Sequence, residues 1–366
     1  MSRDELLREA ERQLTVCNAC RYCEGYCAVF PALERRHFFL EGDISYLANL
    51  CHDCRDCYDA CMYTPPHEFA INFPLIMSQV RVDTYQRYTW PSSASGLLKH
   101  GKLGAVIITG VSIWIALLVA SLLGNPARLL TTHIGPGSFY QIFPYVTLVA
   151  PAMIISLYAL VVFGRGAWRF WRETRSPLRR LVSLDALRSA GAEALSLRWL
   201  RGGGAGCYYQ DKRGSYLRVV LHSLVFWGFV AAFVATAIAA FEQEVLHILP
   251  PYPALSLPVI LGSAGGLAMI AGTTGFLLAK PSANKTLAAD AMTSLDYAFL
   301  IVLDLASVTG MLTLLFRSTP AMGPLLVLHV GVLGGLYLTA PYSKFAHFVY
   351  RYAALIQNQL EEKRTQ

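Results

Sequence analysis

The sequence predicts an all-α protein in two parts: a helical, cysteine-rich N-terminal domain, then six membrane-spanning helices. Three observations carry this prediction. Of 366 residues, 54% are hydrophobic and only 15% charged, against about 25% charged in ordinary soluble chains. Mean hydropathy is +0.41, and the uncharged residues fall in long runs, which excludes both a soluble globular enzyme and a disordered chain. Eight of the nine cysteines precede residue 62, so one end carries chemistry that the rest lacks.

The first element is the cysteine array. Cys17, Cys20, Cys23 and Cys27 follow C-x2-C-x2-C-x3-C, and Cys51, Cys54, Cys57 and Cys61 repeat it 34 residues later, as an internal duplication would. This is the ligand spacing of two-cluster ferredoxins, in which the fourth cysteine of each run serves the other cluster. One [4Fe–4S] centre is therefore expected on Cys17, Cys20, Cys23 and Cys61, and a second on Cys51, Cys54, Cys57 and Cys27. A short loop brings three thiolates to three corners of a cube, and a distant fourth ligand locks the halves together. Zinc would use two C-x2-C pairs set well apart, and disulfides do not suit a reducing compartment. Ala28 and Met62 stand where proline usually follows the fourth cysteine, a departure that bears on the local turn.

Gly42 to Leu50 reads as a short helix leading into Cys51, which favours a helical ferredoxin-type domain over residues 1–70. Thr64-Pro65-Pro66 breaks the chain. Residues 71–102 mix Phe73, Ile76 and Val80 with Arg81, Arg87 and Trp90, as an interfacial linker would; a plain linker fits nearly as well.

A bilayer core of about 30 Å needs about 20 apolar residues in helix. Six stretches qualify within a membrane domain over 103–350: Leu103 to Leu123, Ile142 to Phe163, Val219 to Phe241, Leu257 to Ala279, Tyr297 to Phe316 and Leu325 to Tyr342. The last is expected to continue in helix through Tyr350, with a tail over 351–366. None is a signal peptide, because the chain opens on charged residues. The segment to Lys102 holds 11 Lys and Arg, the loop 164–218 holds 12, and the loop 242–256 none. By the positive-inside rule both termini and the middle loop are cytoplasmic. Splitting the basic residues between two membrane-flanking segments argues against a nucleic-acid partner.

Intramembrane polar residues are functional candidates by default. His222, one turn into the third span, and His347, near the end of the sixth, are expected at one depth, where two neutral imidazoles can clamp a haem b. His329 lies 18 residues before His347, five whole turns on one helix and so on the same face. It suits a second haem nearer the outer surface, with His133 or His247 as the only partners on offer. Asp304, in the middle of the fifth span, reads either as part of a proton path to a quinone or as a hydrogen-bonded packing residue. His37, His52, His67 and His100 take solvated or supporting roles. Gly202 to Gly206 lacks the third spaced glycine of a dinucleotide fingerprint, since Cys207 stands there; a turn beneath the clusters is expected, with an idle thiol.

The paired cysteine runs, the stretch Leu50-Cys51-His52-Asp53-Cys54-Arg55-Asp56-Cys57 and the glycine-rich loop before His222 resemble the tricarballylate/citrate utilization protein B family over nearly the whole chain. Pro341-Tyr342-Ser343-Lys344 followed by His347 resembles the cytoplasmic end of the respiratory nitrate reductase haem-b subunit. The first resemblance implies a membrane electron-transfer subunit that reoxidises a soluble FAD-dependent dehydrogenase of the tricarballylate type and passes electrons to the quinone pool. A related arrangement is fused to a flavoprotein in a cobalamin-biosynthesis oxidoreductase, so the donor stays open. Two other classes compete. A heterodisulfide-reductase-like enzyme would carry Cys-Cys-Gly segments, which are missing here. A zinc-dependent membrane sensor or transporter would lack haem.

Overall fold

The computed structural model describes residues 1–94, 96, 100–174, 183–201, 207–208 and 214–365. Among them the architecture is helical, apart from an antiparallel ribbon of two two-residue strands, β1 (Cys207–Tyr208) and β2 (Gly214–Ser215).

The N-terminal domain is built from five helices: α1 (Arg3–Cys20), α2 (Val29–Glu34), α3 (Glu41–Leu50), α4 (Asp56–Asp59) and α5 (Phe73–Tyr88). Ser2 starts α1 with a reciprocal capping box to Glu5, satisfying two backbone donors at its open end. Leu6, Ala10 and Leu14 recur at helical spacing and are buried, so α1 turns one stripe inward and carries Cys17 and Cys20 at its far end. The helix stops at Arg21, whose φ of 55° is left-handed. Asp53 and Arg55 on either side of Cys54 also have positive φ, 57° and 73°, folding the second cysteine run back on itself.

Helix α5 differs from the expected interfacial segment. Ile76, Met77, Val80, Arg81, Thr84 and Tyr85 are all buried, because the helix packs against α1 and α3 instead of lying on a surface.

Six helices are long and apolar enough to cross a membrane: α6 (Gly101–Leu122), α7 (Tyr145–Glu173), α9 (Leu217–Glu244), α10 (Leu257–Ala279), α11 (Asp290–Leu315) and α12 (Met322–Thr339). A short helix, α8 (Leu184–Leu195), lies between the second and third. Small residues let two pairs of helices approach closely. On α12, Gly331 faces the backbone of Ile113 and Gly335 faces Thr109 of α6; between α9 and α10, Gly228 and Gly265 face one another.

The sixth span does not continue through Tyr350. Helix α12 ends at Thr339, Ala340–Tyr342 forms a 3-10 turn around Pro341, and Ser343 is extended with φ −124°. Proline removes a helical donor, and the Ser343 side chain accepts from the Phe345 amide, starting the chain afresh. A separate helix, α13 (His347–Thr365), follows. His329 and His347 therefore lie on different helices, and the shared-face relation between them fails.

Helix α13 enters the N-terminal domain. Ala353, Ala354, Leu355 and Ile356 are buried in the same core as Leu14, Leu47 and Val80. Arg36 donates to both carboxylate oxygens of Glu361, at 2.8 and 3.1 Å, and Arg35 donates to Asn358 at 2.6 Å. The last twenty residues thus complete the first domain.

Candidate functional site

The eight N-terminal cysteines form no disulfide. Their electrostatic neighbours form two overlapping groups, each mixing the two sequence runs, with Cys23 also acting on Cys27 and Cys57. Burial pushes the Cys17 and Cys23 thiols up to about 12, reinforced in both by Cys61 and Cys20. Burial also raises Cys27 to about 12, its first cysteine neighbour being Cys51, and Cys57 is raised by burial with Cys54, Cys51 and Cys27. Four buried thiolates repel one another, so ionising either group needs a compensating positive charge, which a bound metal centre supplies. The outer group, Cys17, Cys20, Cys23 and Cys61, lines a hollow together with Cys57 of the inner group and with Tyr22, Phe30, Met62, Tyr63 and Phe73. The inner group is more deeply placed: Cys27, Cys51 and Cys54 are all buried.

Among the described residues no three His, Cys, Asp or Glu side chains lie close enough to hold a single metal ion. A tetrahedral zinc with bonds of about 2.3 Å would draw its sulfurs together. A cubane sets each ligand sulfur on a different iron, so its cysteines stand farther apart. The donor chemistry, four thiols in each group, fits a cluster.

Beneath the inner group the structure brings His222 and His347 together, with ring centroids 6.3 Å apart and planes at 89°. Two imidazoles bound to one metal through bonds of about 2 Å have centroids about 6 Å apart. His347 Nδ1 lies 2.7 Å from the Lys344 carbonyl. A carbonyl only accepts, so Nδ1 carries the proton and Nε2 keeps its lone pair, the arrangement common to metal-binding histidines. Burial and the cations Arg351 and Lys344 hold His347 well below the usual histidine range, which keeps the ring neutral and able to ligate. His222 Nδ1 is buried without a hydrogen-bond partner. With the His347 Nε2 lone pair free and no hydrogen bond fixing His222 Nδ1, the two rings fit a haem iron. Phe163, Phe229, Phe299 and Phe348 gather around Phe345, two residues before His347.

The histidine pair is tied to the inner cysteines through arginines. Arg218 stands one turn before His222 and Arg351 one turn after His347. Arg351 donates to the Cys51 carbonyl at 2.8 Å. Arg218 donates to the carbonyls of Asp53 and His52, the latter at 3.3 Å. Arg81 adds bonds to the carbonyls of Ala48 and Cys51, at 3.1 and 3.3 Å. The signal was the spacing of four between each histidine and an arginine.

The remaining candidates do not join this site. His329 Nδ1 is 3.0 Å from the Thr309 hydroxyl, and Gly310 leaves room for its ring; among the described residues no second imidazole lies against it. His133 has both nitrogens engaged, by Gln141 at 2.9 Å and the Arg128 carbonyl at 2.8 Å. Asp304 accepts from Thr273 at 2.5 Å and Thr274 at 3.2 Å, joining α10 to α11, while Ser307 turns to the Leu303 carbonyl. The glycine run Gly202 to Gly206 lies outside the described residues, and so does the Cys207 side chain.

Two family models cover most of the sequence: citrate utilization protein B over residues 99–366, and the Fer4-like domain of the same protein over residues 10–87. Citrate utilization protein B of Escherichia coli is 40% identical over 357 residues, spanning 97% of this chain and 93% of its own length. The chain belongs to the citrate utilization protein B family. No solved structure matches it. In this member the Fer4-like match ends at residue 87, one residue short of the end of α5, whereas the core of that domain also takes in α13 from the other end of the chain. Membership brings an iron–sulfur electron-transfer role into view and leaves the relation to the nitrate reductase haem-b subunit unaddressed.

Proposed function

We propose that this protein is a membrane electron-transfer subunit joining a soluble flavoprotein dehydrogenase to the quinone pool. The observation that carries the reading is the His222–His347 pair, 6.3 Å apart and bonded through Arg218 and Arg351 to the loop of the inner cysteines. Cys17, Cys20, Cys23 and Cys61 would hold one [4Fe–4S] cluster, and Cys27, Cys51, Cys54 and Cys57 the other. His222 and His347 would hold one haem b. Such centres change oxidation state by one electron without moving bonds, which suits a carrier between a two-electron flavin and a two-electron quinone. His329, bonded to Thr309, and Asp304, bonded to two threonines, take structural roles in this reading, and it needs no second haem.

The family name supports a role in citrate use; the donor in this reading is an FAD-dependent dehydrogenase of the tricarballylate type that would dock on the soluble domain. The uneven distribution of Lys and Arg supports cytoplasmic termini in a bacterial inner membrane.

Iron, acid-labile sulfide and haem analysis of the anaerobically purified protein tests the reading. About eight irons in clusters per chain are expected, with a b-type reduced-minus-oxidised spectrum. His222→Ala and His347→Ala should each abolish the haem signal and leave cluster iron unchanged. A colourless preparation, or a full haem spectrum in both variants, overturns it.

A further inference from the structure

The two cysteine groups differ in their surroundings. Around the inner group, Arg81, Arg218 and Arg351 direct buried or half-buried guanidinium groups onto the backbone from Ala48 to Asp53. Arg81 is only 2% exposed, and its Nε and Nη2 find no hydrogen-bond partner. Asp53 answers part of this charge, but at 3.8 Å from Arg81 and 3.9 Å from both Arg55 and Arg218 it stands at the outer limit of an ion pair. Around the outer group the corresponding contact is Arg21, which donates to the Asn18 carbonyl at 3.1 Å and is exposed. Neutral donors serve both groups: the Tyr63 amide reaches Cys61 Sγ at 3.4 Å, and the amides of Val29 and Phe30 bond Cys27.

Resting on the reading above, we propose that Arg81, Arg218 and Arg351 form a cationic seat. It makes the centre held by Cys27, Cys51, Cys54 and Cys57 easier to reduce than the one held by Cys17, Cys20, Cys23 and Cys61.

The reasoning is electrostatic. Reducing a cluster adds one electron and one negative charge, with no bond made or broken. A cation at fixed distance favours the more negative state, and the effect grows as water is removed from between them. Water and salt screen an exposed guanidinium such as Arg21, whereas Arg81 sits in low dielectric. Neutral amide donors are present on both sides, so the difference is one of charge: three guanidinium groups set against Asp53 and the buried Asp56. They also link the seat to the helices of His222 and His347, so the more easily reduced centre lies beside the histidine pair. The three arginines are positioning residues: their bonds are to backbone carbonyls of the ligand loop.

An EPR-monitored redox titration of the anaerobically purified full-length protein is the test. Cys20→Ser, which alters the outer set, assigns one of the two signals. The wild type should show two midpoints, the inner one higher. Arg351→Gln should move the inner midpoint to lower potential and leave the outer in place, and Arg351→Lys should restore most of the shift. Arg218→Gln, at the start of α9 and less enclosed, carries the same expectation if Arg351→Gln does not fold. An outer midpoint equal to or above the inner, or glutamine variants that move both midpoints alike or neither, overturns the ordering. An iron-free preparation instead overturns the cluster assignment beneath it.

Discussion

Gly272, at the α9–α10 contact, sets the position of His222. A Cβ added there would stand 2.8 Å from the Leu221 carbonyl and 3.0 Å from the Val225 amide, whereas ordinary contact begins at 3.4 Å, so α9 must retreat by about 0.6 Å. Leu221 immediately precedes His222, so the imidazole retreats with it. Metal–ligand bonds tolerate only about 0.2 Å, and overpacking of this kind costs about 1–3 kcal/mol. If 1.4 kcal/mol of that strain is taken from haem binding at His222, retention would weaken about tenfold. Gly262 on the same helix is the control, because its nearest neighbour to an added Cβ is Ala235 at 3.7 Å. Purified Gly272→Ala and Gly262→Ala proteins would be compared by the haem-to-protein ratio and by thermal unfolding in detergent. The first should lose haem and stability, and the second should match the parent. If Gly272→Ala keeps the full haem absorbance and the melting temperature of Gly262→Ala, the chain of reasoning from helix spacing to ligation is refuted.

Three more outcomes follow from the contacts. His329→Ala should leave the reduced-minus-oxidised spectrum intact, since His329 is bonded to Thr309 and no second imidazole lies against it among the described residues; a halved haem signal would reinstate a second centre. Asp304→Asn can still accept from Thr273 and Thr274 and should hold its melting temperature, whereas Asp304→Leu leaves two hydroxyls without their partner and should lose about 1–3 kcal/mol in chemical denaturation; equal melting of the two variants would contradict this. Glu361→Ala removes the bidentate partner of Arg36 and should loosen the N-terminal domain by about 1–3 kcal/mol, read as faster limited proteolysis before residue 90. An unchanged digestion rate would show that the pair contributes nothing.

What was legible in the sequence depended on how local its cause was. The Fer4-like domain could be read because its cysteine spacing is written within eleven residues, and the six long apolar helices because hydropathy needs only a twenty-residue window. The His222–His347 pair could be read from depth alone, although His347 reached that depth by a different route: a new helix after the break at Pro341 and Ser343. Hydropathy runs straight through that break, which is marked only by one proline and one capping serine. Helix α5 looked interfacial because Arg81 and Arg87 interrupt its apolar face. In the fold Arg81 is buried against the carbonyls of Ala48 and Cys51, and those acceptors lie about thirty residues upstream. Residues 351–366 looked like a tail because their partners, Arg35 and Arg36, stand more than three hundred positions away. Patterns that report burial do not name the neighbour.

That distant closure orders events during synthesis. Ala354 and Leu355 are sealed among Leu14, Leu47 and Val80, so the first domain stays open on one side until the final helix leaves the ribosome. At about 5–20 residues per second the delay from Cys61 to Ile356 is roughly 15 to 60 seconds, long enough for the hydrophobic spans to be inserted in the meantime. A chain cut before α13 would leave one side of the core that holds Cys27 and Cys51 uncovered. In the proposed reading, cluster assembly would therefore wait on the making of α13 and not on that of the cysteine runs.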